Sequence, residues 1–435
     1  MGQRWGRRVR WGGLVVGLMV AGVFLYSHPP MPPSPRVFRN QAGVIVPGYS
    51  LNGTLAYPSK NDVAQVVQAL NSRAQAVLDG DRAAFLSTVD SSHRSFYGRQ
   101  EKAWANTRQL PLASLSFAYD GVVEPDVPLR TATFLARVIT TYRLAGYDTT
   151  PVQVEDGFSF VKRHGTWKLA GVGDADGQFT QGLPVPWEGS SIDTYGDGDY
   201  LAVVDRGRLS LARRIVALCH EGNRDDARLL GLENTWPTVV LATSHAGSFK
   251  KVTGPDAEAI TNPLTGPGGI TAGWRVMVNP HDVDQVAAST VVLPHELTHL
   301  ATQDYLAYLP SWLAEGSAEY VGWHTRGGLP AAMRARGYRS RRELTDKLPS
   351  SSTFYGQDVQ LNYVEAMALV SWIERHRGTS SVLSLMRAYA DASGWNLSYD
   401  ADTATPQILH QVLAMTPASL ASAAQAELNS AIPKT

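Results

Sequence analysis

The sequence predicts an α+β protein: an N-terminal membrane anchor, then a first globular unit of helices packed on antiparallel strands, then a second unit that is mostly helical with a small sheet. Three observations predict it. At 435 residues the chain is too long for one small core, since domains run to roughly 100–200 residues. Apolar residues recur at helical spacing over 63–85 and alternate strand-like over 132–173. From 201 onward helical periodicity predominates, with strand-like stretches at 238–244 and 274–280.

Composition limits the function classes. Hydrophobic residues make up 44% and charged residues 18%, as in globular chains. Lys plus Arg equals Asp plus Glu at 39 each, so the overall charge gives no attraction to nucleic acid. The single cysteine, Cys219, allows neither an intramolecular disulfide nor a thiolate metal site. Any metal must therefore be held by histidine and carboxylate.

In order along the chain, residues 1–26 read as a signal anchor. "MGQRWGRRVR" carries Arg4, Arg7, Arg8 and Arg10 ahead of the uncharged "WGGLVVGLMVAGVFLY" at 11–26. That run falls between the apolar core of a cleaved signal, about 7–15 residues, and a spanning helix of about 17–25. No A-x-A cleavage site follows it. The expected placement is thus a single-pass cell-membrane protein with its arginines cytoplasmic and the rest extracytoplasmic, or a secreted one if the signal is cleaved. Residues 27–59, containing "SHPPMPPSPR", read as an extended proline-rich spacer.

Over 60–178, "NDVAQVVQALNSRAQAVLDGDRAAFLSTV" predicts helices broken at Gly80-Asp81, and "ATFLARVITTYRL", "VEDGFSFVKRHG" and "TWKLAGVG" predict antiparallel strands with a glycine turn. This stretch resembles the nuclear transport factor 2-like cone. The resemblance implies a helical layer on a curved sheet, used elsewhere for binding, dimerisation or packing, and implies no chemistry. Residues 179–200 are rich in Gly, Asp and Ser and read as a linker. The second unit, 201–435, opens with a helix at 206–231.

The chemistry centres on "HELTH" at 295–299. A helix turns every 3.6 residues, so His295 and His299 share a face and can hold one ion, with Glu296 beside it as a proton acceptor for a bound water. A catalytic zinc takes three protein ligands and keeps one open position. Thr302 and Tyr305 replace the Gly and His of the metzincin continuation, which excludes that class. Instead "LPSWLAEGSAEYVGW" follows at 309–323, with Glu315 and Glu319 four apart on one helical face. Two carboxylates on the buried side of an apolar helix need something positive nearby, and a zinc ion and a histidine N–H would serve.

"HELTH" followed by "WLAEGSAEY" resembles the peptidase MA-like zinc metallopeptidases, or gluzincins, the broad group that includes thermolysin and aminopeptidase N. The resemblance implies one Zn2+ per chain on His295, His299 and Glu315, Glu296 as general base, and Glu319 orienting a ligand histidine. The connection from His299 to Glu315 is shorter than in that group, which leaves Glu319 a rival third ligand. Pro294 fits only in the first turn of its helix. "LNYVEAMALVSWIERHRG" at 361–378 resembles the helix that follows the site in related proteins, which makes Tyr363 the expected oxyanion donor, with His324 and His376 as alternatives. "WRVMVNP" is a candidate edge strand for a peptide substrate. The expected activity is hydrolysis of a peptide or protein by an extracytoplasmic metallopeptidase; the alternative is an inactive peptide- or ligand-binding protein on the same scaffold.

Overall fold

The structure, a computed structural model, describes residues 59–122, 133–172, 185–244, 258–337, 348–356, 358–394, 396 and 398–431, together with two short strand pairs between Arg39 and Ala56. The first unit begins with helix α1 (Lys60–Asp79), started by a reciprocal cap in which Ser59 and Asp62 bond each other's backbone N–H. It stops at Gly80, whose φ of 73° satisfies the left-handed cap. Val66, Leu70, Ala74 and Val77 form its buried face. Helices α2 (Arg82–Ser87) and α3 (Arg94–Thr107) complete the layer.

A four-stranded antiparallel sheet follows in sequence order: β1 (Leu112–Val122), β2 (Thr133–Leu144), β3 (Val152–Arg163) and β4 (Thr166–Val172). The β3–β4 turn holds both central residues at positive φ, His164 at 48° and Gly165 at 84°, as a two-residue hairpin requires. The sequence reading missed α3 and β1.

The second sheet corrects the expected fold class. It is neither small nor confined to residues after 201. It has five strands in the order β8-β9-β7-β6-β5, comprising β5 (Ile192–Gly196), β6 (Tyr200–Asp205), β7 (Thr238–Ala242), β8 (Ala259–Thr265) and β9 (Thr271–Val278). β6, β7 and β9 run parallel and the two outer strands antiparallel. β5 lies within the expected linker. β9, which holds "WRVMV", is interior because it pairs on both sides; β8 is the edge. Helix α4 (Leu209–Leu230) links β6 to β7.

After β9 come α5 (Val283–Ser289), α6 (Val292–Ala301), a short turn of helix at 303–306, α7 (Ser311–His324), α8 (Gly328–Ala335), α9 (Val359–Arg377) and three more helices to Ala431. The protein is thus α+β with two principal sheets.

The expected anchor at 1–26 lies outside the described residues. Among those described, no helix is long and apolar enough to cross a membrane, and the single-pass placement is withdrawn. The long helices make the reason plain. α4 carries Arg213, Arg214, Glu221, Arg224, Asp225, Asp226 and Arg228, and α9 carries Glu365, Glu374, Arg375 and Arg377; charges along a spanning helix are costly.

The two units share a core. Leu201, Val203, Val239, Leu264 and Ala272 pack with Tyr142, Val152 and Phe158 of the first unit, while Ala202, Val204, Val240 and Val276 on the opposite face meet α4 and α6. Asn106 in α3 donates to the carbonyls of Trp187 and Ser190 and accepts from the N–H of Ile192. Arg275 of β9 donates to Asp148 at 2.8 Å, both side chains at most 1% exposed. Removing one partner of such a pair strands a buried charge. Asp148→Ala should therefore destabilise the chain by about 3–5 kcal/mol in urea unfolding, and adding Arg275→Met should recover part of the loss; a loss below about 1 kcal/mol would mean that the pair does not hold the units together.

Candidate metal centre

Helix α6 is buried on every side from Val292 to Leu300. Pro294 lies in its first turn, where an N–H has no intrahelical acceptor. Two tight approaches set the helix positions. A Cβ on Gly222 of α4 would lie 2.9 Å from Cα of Pro294, and one on Gly316 of α7 would lie 2.4 Å from the carbonyl oxygen of Ala366 in α9. The glycine of "AEGSAE" therefore lets α9 press close behind Glu315.

The structure brings His295, His299 and Glu315 together, with one ligand atom from each lying within 4.8 Å of the others. The His295 and His299 Nε2 atoms are 3.1 Å apart. Glu315 Oε2 lies 3.4 Å from the first and 3.7 Å from the second and has no hydrogen-bond partner. Glu319 occupies the other side of His295, with Oε1 3.1 Å from Nδ1, an ion-pair distance without hydrogen-bond alignment. Its carboxylate also accepts from Trp323 Nε1 at 3.0 Å and from Arg336 Nε at 3.1 Å, with a further close contact from Arg336 Nη2. The two acids thus divide: Glu315 faces the paired Nε2 atoms, and Glu319 faces away from them.

Glu296 is fully buried, with Oε2 accepting from the Thr261 hydroxyl of β8 at 2.7 Å and Oε1 unpaired. Burial pushes its carboxyl up to about 7, against the lowering influence of His295 and Thr261, which suits proton exchange near neutrality. For Glu319 burial acts upward, but Arg336 and His295 outweigh it and hold the carboxyl at about 2. Burial disfavours the His295 imidazolium, yet Glu315 and Glu319 raise it to about 10. Burial, with His295 adding to it, drives His299 well below its ordinary value.

These residues fit a divalent cation. Glu315 and Glu319 both favour the charged form of His295, so a proton on that buried imidazole stands where a cation on its nitrogens would, and a metal would displace it. Tetrahedral ligands at 2.0–2.1 Å from zinc stand about 3.3 Å apart, close to the observed 3.1–3.7 Å. His, His and carboxylate is a donor set zinc accepts. His299 Nδ1 has no partner among the described residues.

Tyr363 is fully buried, its ring centroid 6.2 Å from that of His295, packed against Phe354 and covered by the Arg336 guanidinium. It belongs to the packed wall of the site. Tyr355, which the sequence reading missed, is 39% exposed and donates its hydroxyl to Glu315 Oε1 at 2.6 Å. His324 and His376 are exposed beside Tyr320 and Trp372 on their own helices and do not join the cluster. Also missed were Thr261, Arg336 and the buried Asp226, which accepts from Thr298 at 2.7 Å. An aromatic pair inside "SSSTFYG" was the available signal for Tyr355; Arg336 had none.

No family model and no curated protein matches the chain. The functional reading therefore rests on this geometry. Gly316→Ala should cost about 1–3 kcal/mol by overpacking α7 against α9, read as a lowered Tm; an unchanged Tm would mean that the close approach behind Glu315 is not obligatory.

Proposed function

We propose that the chain is a zinc-dependent metallopeptidase. One observation carries the reading: His295 Nε2, His299 Nε2 and an unpaired Glu315 Oε2 converge in one fully buried cluster. His295, His299 and Glu315 would hold the ion. Zinc in such a site supplies Lewis acidity, acidifying a water and polarising a carbonyl.

The protein's own groups do the rest. Glu296, anchored through one oxygen to Thr261, would take the proton of the attacking water and deliver it to the leaving amine. Glu319 would fix the tautomer and angle of His295, itself held by Arg336 and Trp323. Tyr355, partly exposed, would serve as oxyanion donor by turning its one hydroxyl proton from Glu315 to the substrate, whereas Tyr363 is fully buried beneath Arg336.

Metal content by mass spectrometry tests the ligand set. About one zinc per native chain is expected, lost in Glu315→Ala and retained better in Glu319→Ala; the reverse order would put the third ligand at Glu319, and no zinc in the native chain would remove the reading. Glu296→Gln should keep the metal and lose about 10²–10⁴-fold in turnover of a peptide library. An active Glu296→Gln would exclude the proposed base, and zinc retention without hydrolysis of any peptide by the native chain would favour a binding protein.

A further inference from the structure

Away from this centre, the outer side of the helical layer meets the second sheet in a groove of about 590 Å³. Arg82 from α2, Arg94, Arg99 and Lys102 from α3, and Arg206 from the turn after β6 line it. Glu101 is the one acid among the lining residues, and Arg82 pairs with it. Arg94, Lys102 and Arg206 have no ion-pair partner among the described residues, and the Arg99 guanidinium lies 5.4 Å from the Phe96 ring centroid. Glu188 lies close enough to Arg99 for each to act on the other; in a chain with zero formal net charge, the remaining three cations of the lining, Arg94, Lys102 and Arg206, mark a local excess.

Gly98 gives a second, independent observation. It lies inside α3 between Arg94 and Lys102 and lines the groove. After proline, glycine is the least favourable residue in a helix interior. Nothing lies within 4 Å of where its Cβ would be, so packing does not demand it. Its effect is to lower the floor of the groove between two cations.

We infer that this groove binds a ligand carrying several linked phosphate groups. Arg94 and Lys102 stand eight residues apart, about 12 Å along the helix axis, with Arg99 between them and Arg206 contributed by the other unit. A single small anion meets only part of such a row, whereas a chain of oxyanions meets all of it. Guanidinium forks match phosphate oxygens bidentately. Each exposed pair is weak alone, so useful affinity needs several at once. This inference does not depend on the metallopeptidase reading.

The test is calorimetric titration of the full chain with inorganic tripolyphosphate, monophosphate and a pentaglutamate peptide. Tripolyphosphate should bind at least roughly tenfold more tightly than monophosphate, with affinity falling as salt rises from about 50 to 200 mM. The double variant Arg94→Gln/Lys102→Gln should lose roughly tenfold. Gly98→Leu should raise the Tm, since it improves the helix, and still lose binding because it fills the floor; that combination separates a ligand site from a folding effect. Equal affinity for the two phosphates, or unchanged binding in both variants, would overturn the inference. Tighter binding of pentaglutamate would overturn the phosphate assignment and identify an acidic-peptide site instead.

Discussion

The constraint on which the rest of the centre depends is that α7 carries two carboxylates through an apolar interior. Every residue from Ser311 to Trp323 is buried, so neither acid can reach water for solvation. Glu319 is satisfied by the protein itself, through hydrogen bonds from Arg336 and Trp323. Glu315 is satisfied on one oxygen only, by Tyr355. The asymmetry is informative, because a buried acceptor left half-paired is costly. A fold that spends a buried arginine on the neighbouring acid could have covered this one too.

Packing sets the precision of the arrangement. Where α4 meets α6 and where α7 meets α9, glycine lets backbones approach closer than any side chain allows. Gly322 adds a third such contact, a Cβ there falling 3.1 Å from the carbonyl oxygen of Val291 at the start of α6. The histidine helix and the glutamate helix are thereby held at a spacing dictated by main chain. Long side chains at these crossings would have let the His295, His299 and Glu315 triangle drift.

The centre was legible in the sequence wherever it followed local periodicity. A four-residue interval puts His295 and His299 on one face, and the same interval orders Glu315 and Glu319 along α7. Which glutamate faces which nitrogen depends on helix crossing, and no local pattern encodes that. Arg336, Thr261 and Tyr355 arrive from distant segments, each as a single residue. The fold shows the same division. α1 and its Gly80 stop were readable, as was the His164-Gly165 hairpin. β8 was not, because Thr, Asn and Pro263 break its pattern and proline belongs on sheet edges. β5 was hidden in a stretch whose Gly, Asp and Ser content reads as loop, and Gly98 weakened the helical signal of α3.

The five-stranded sheet lies between two layers, one from each unit, with Leu201 and Val203 facing the first and Ala202 and Val204 the second. Neither half owns that sheet outright. A segment cut out at residue 201 would leave β5 behind and bare an apolar surface where the first unit had been, a template for aggregation. The first unit is thus part of the scaffold on which the histidine helix rests. The smallest piece of the described chain that keeps both faces of this sheet covered is the two units together.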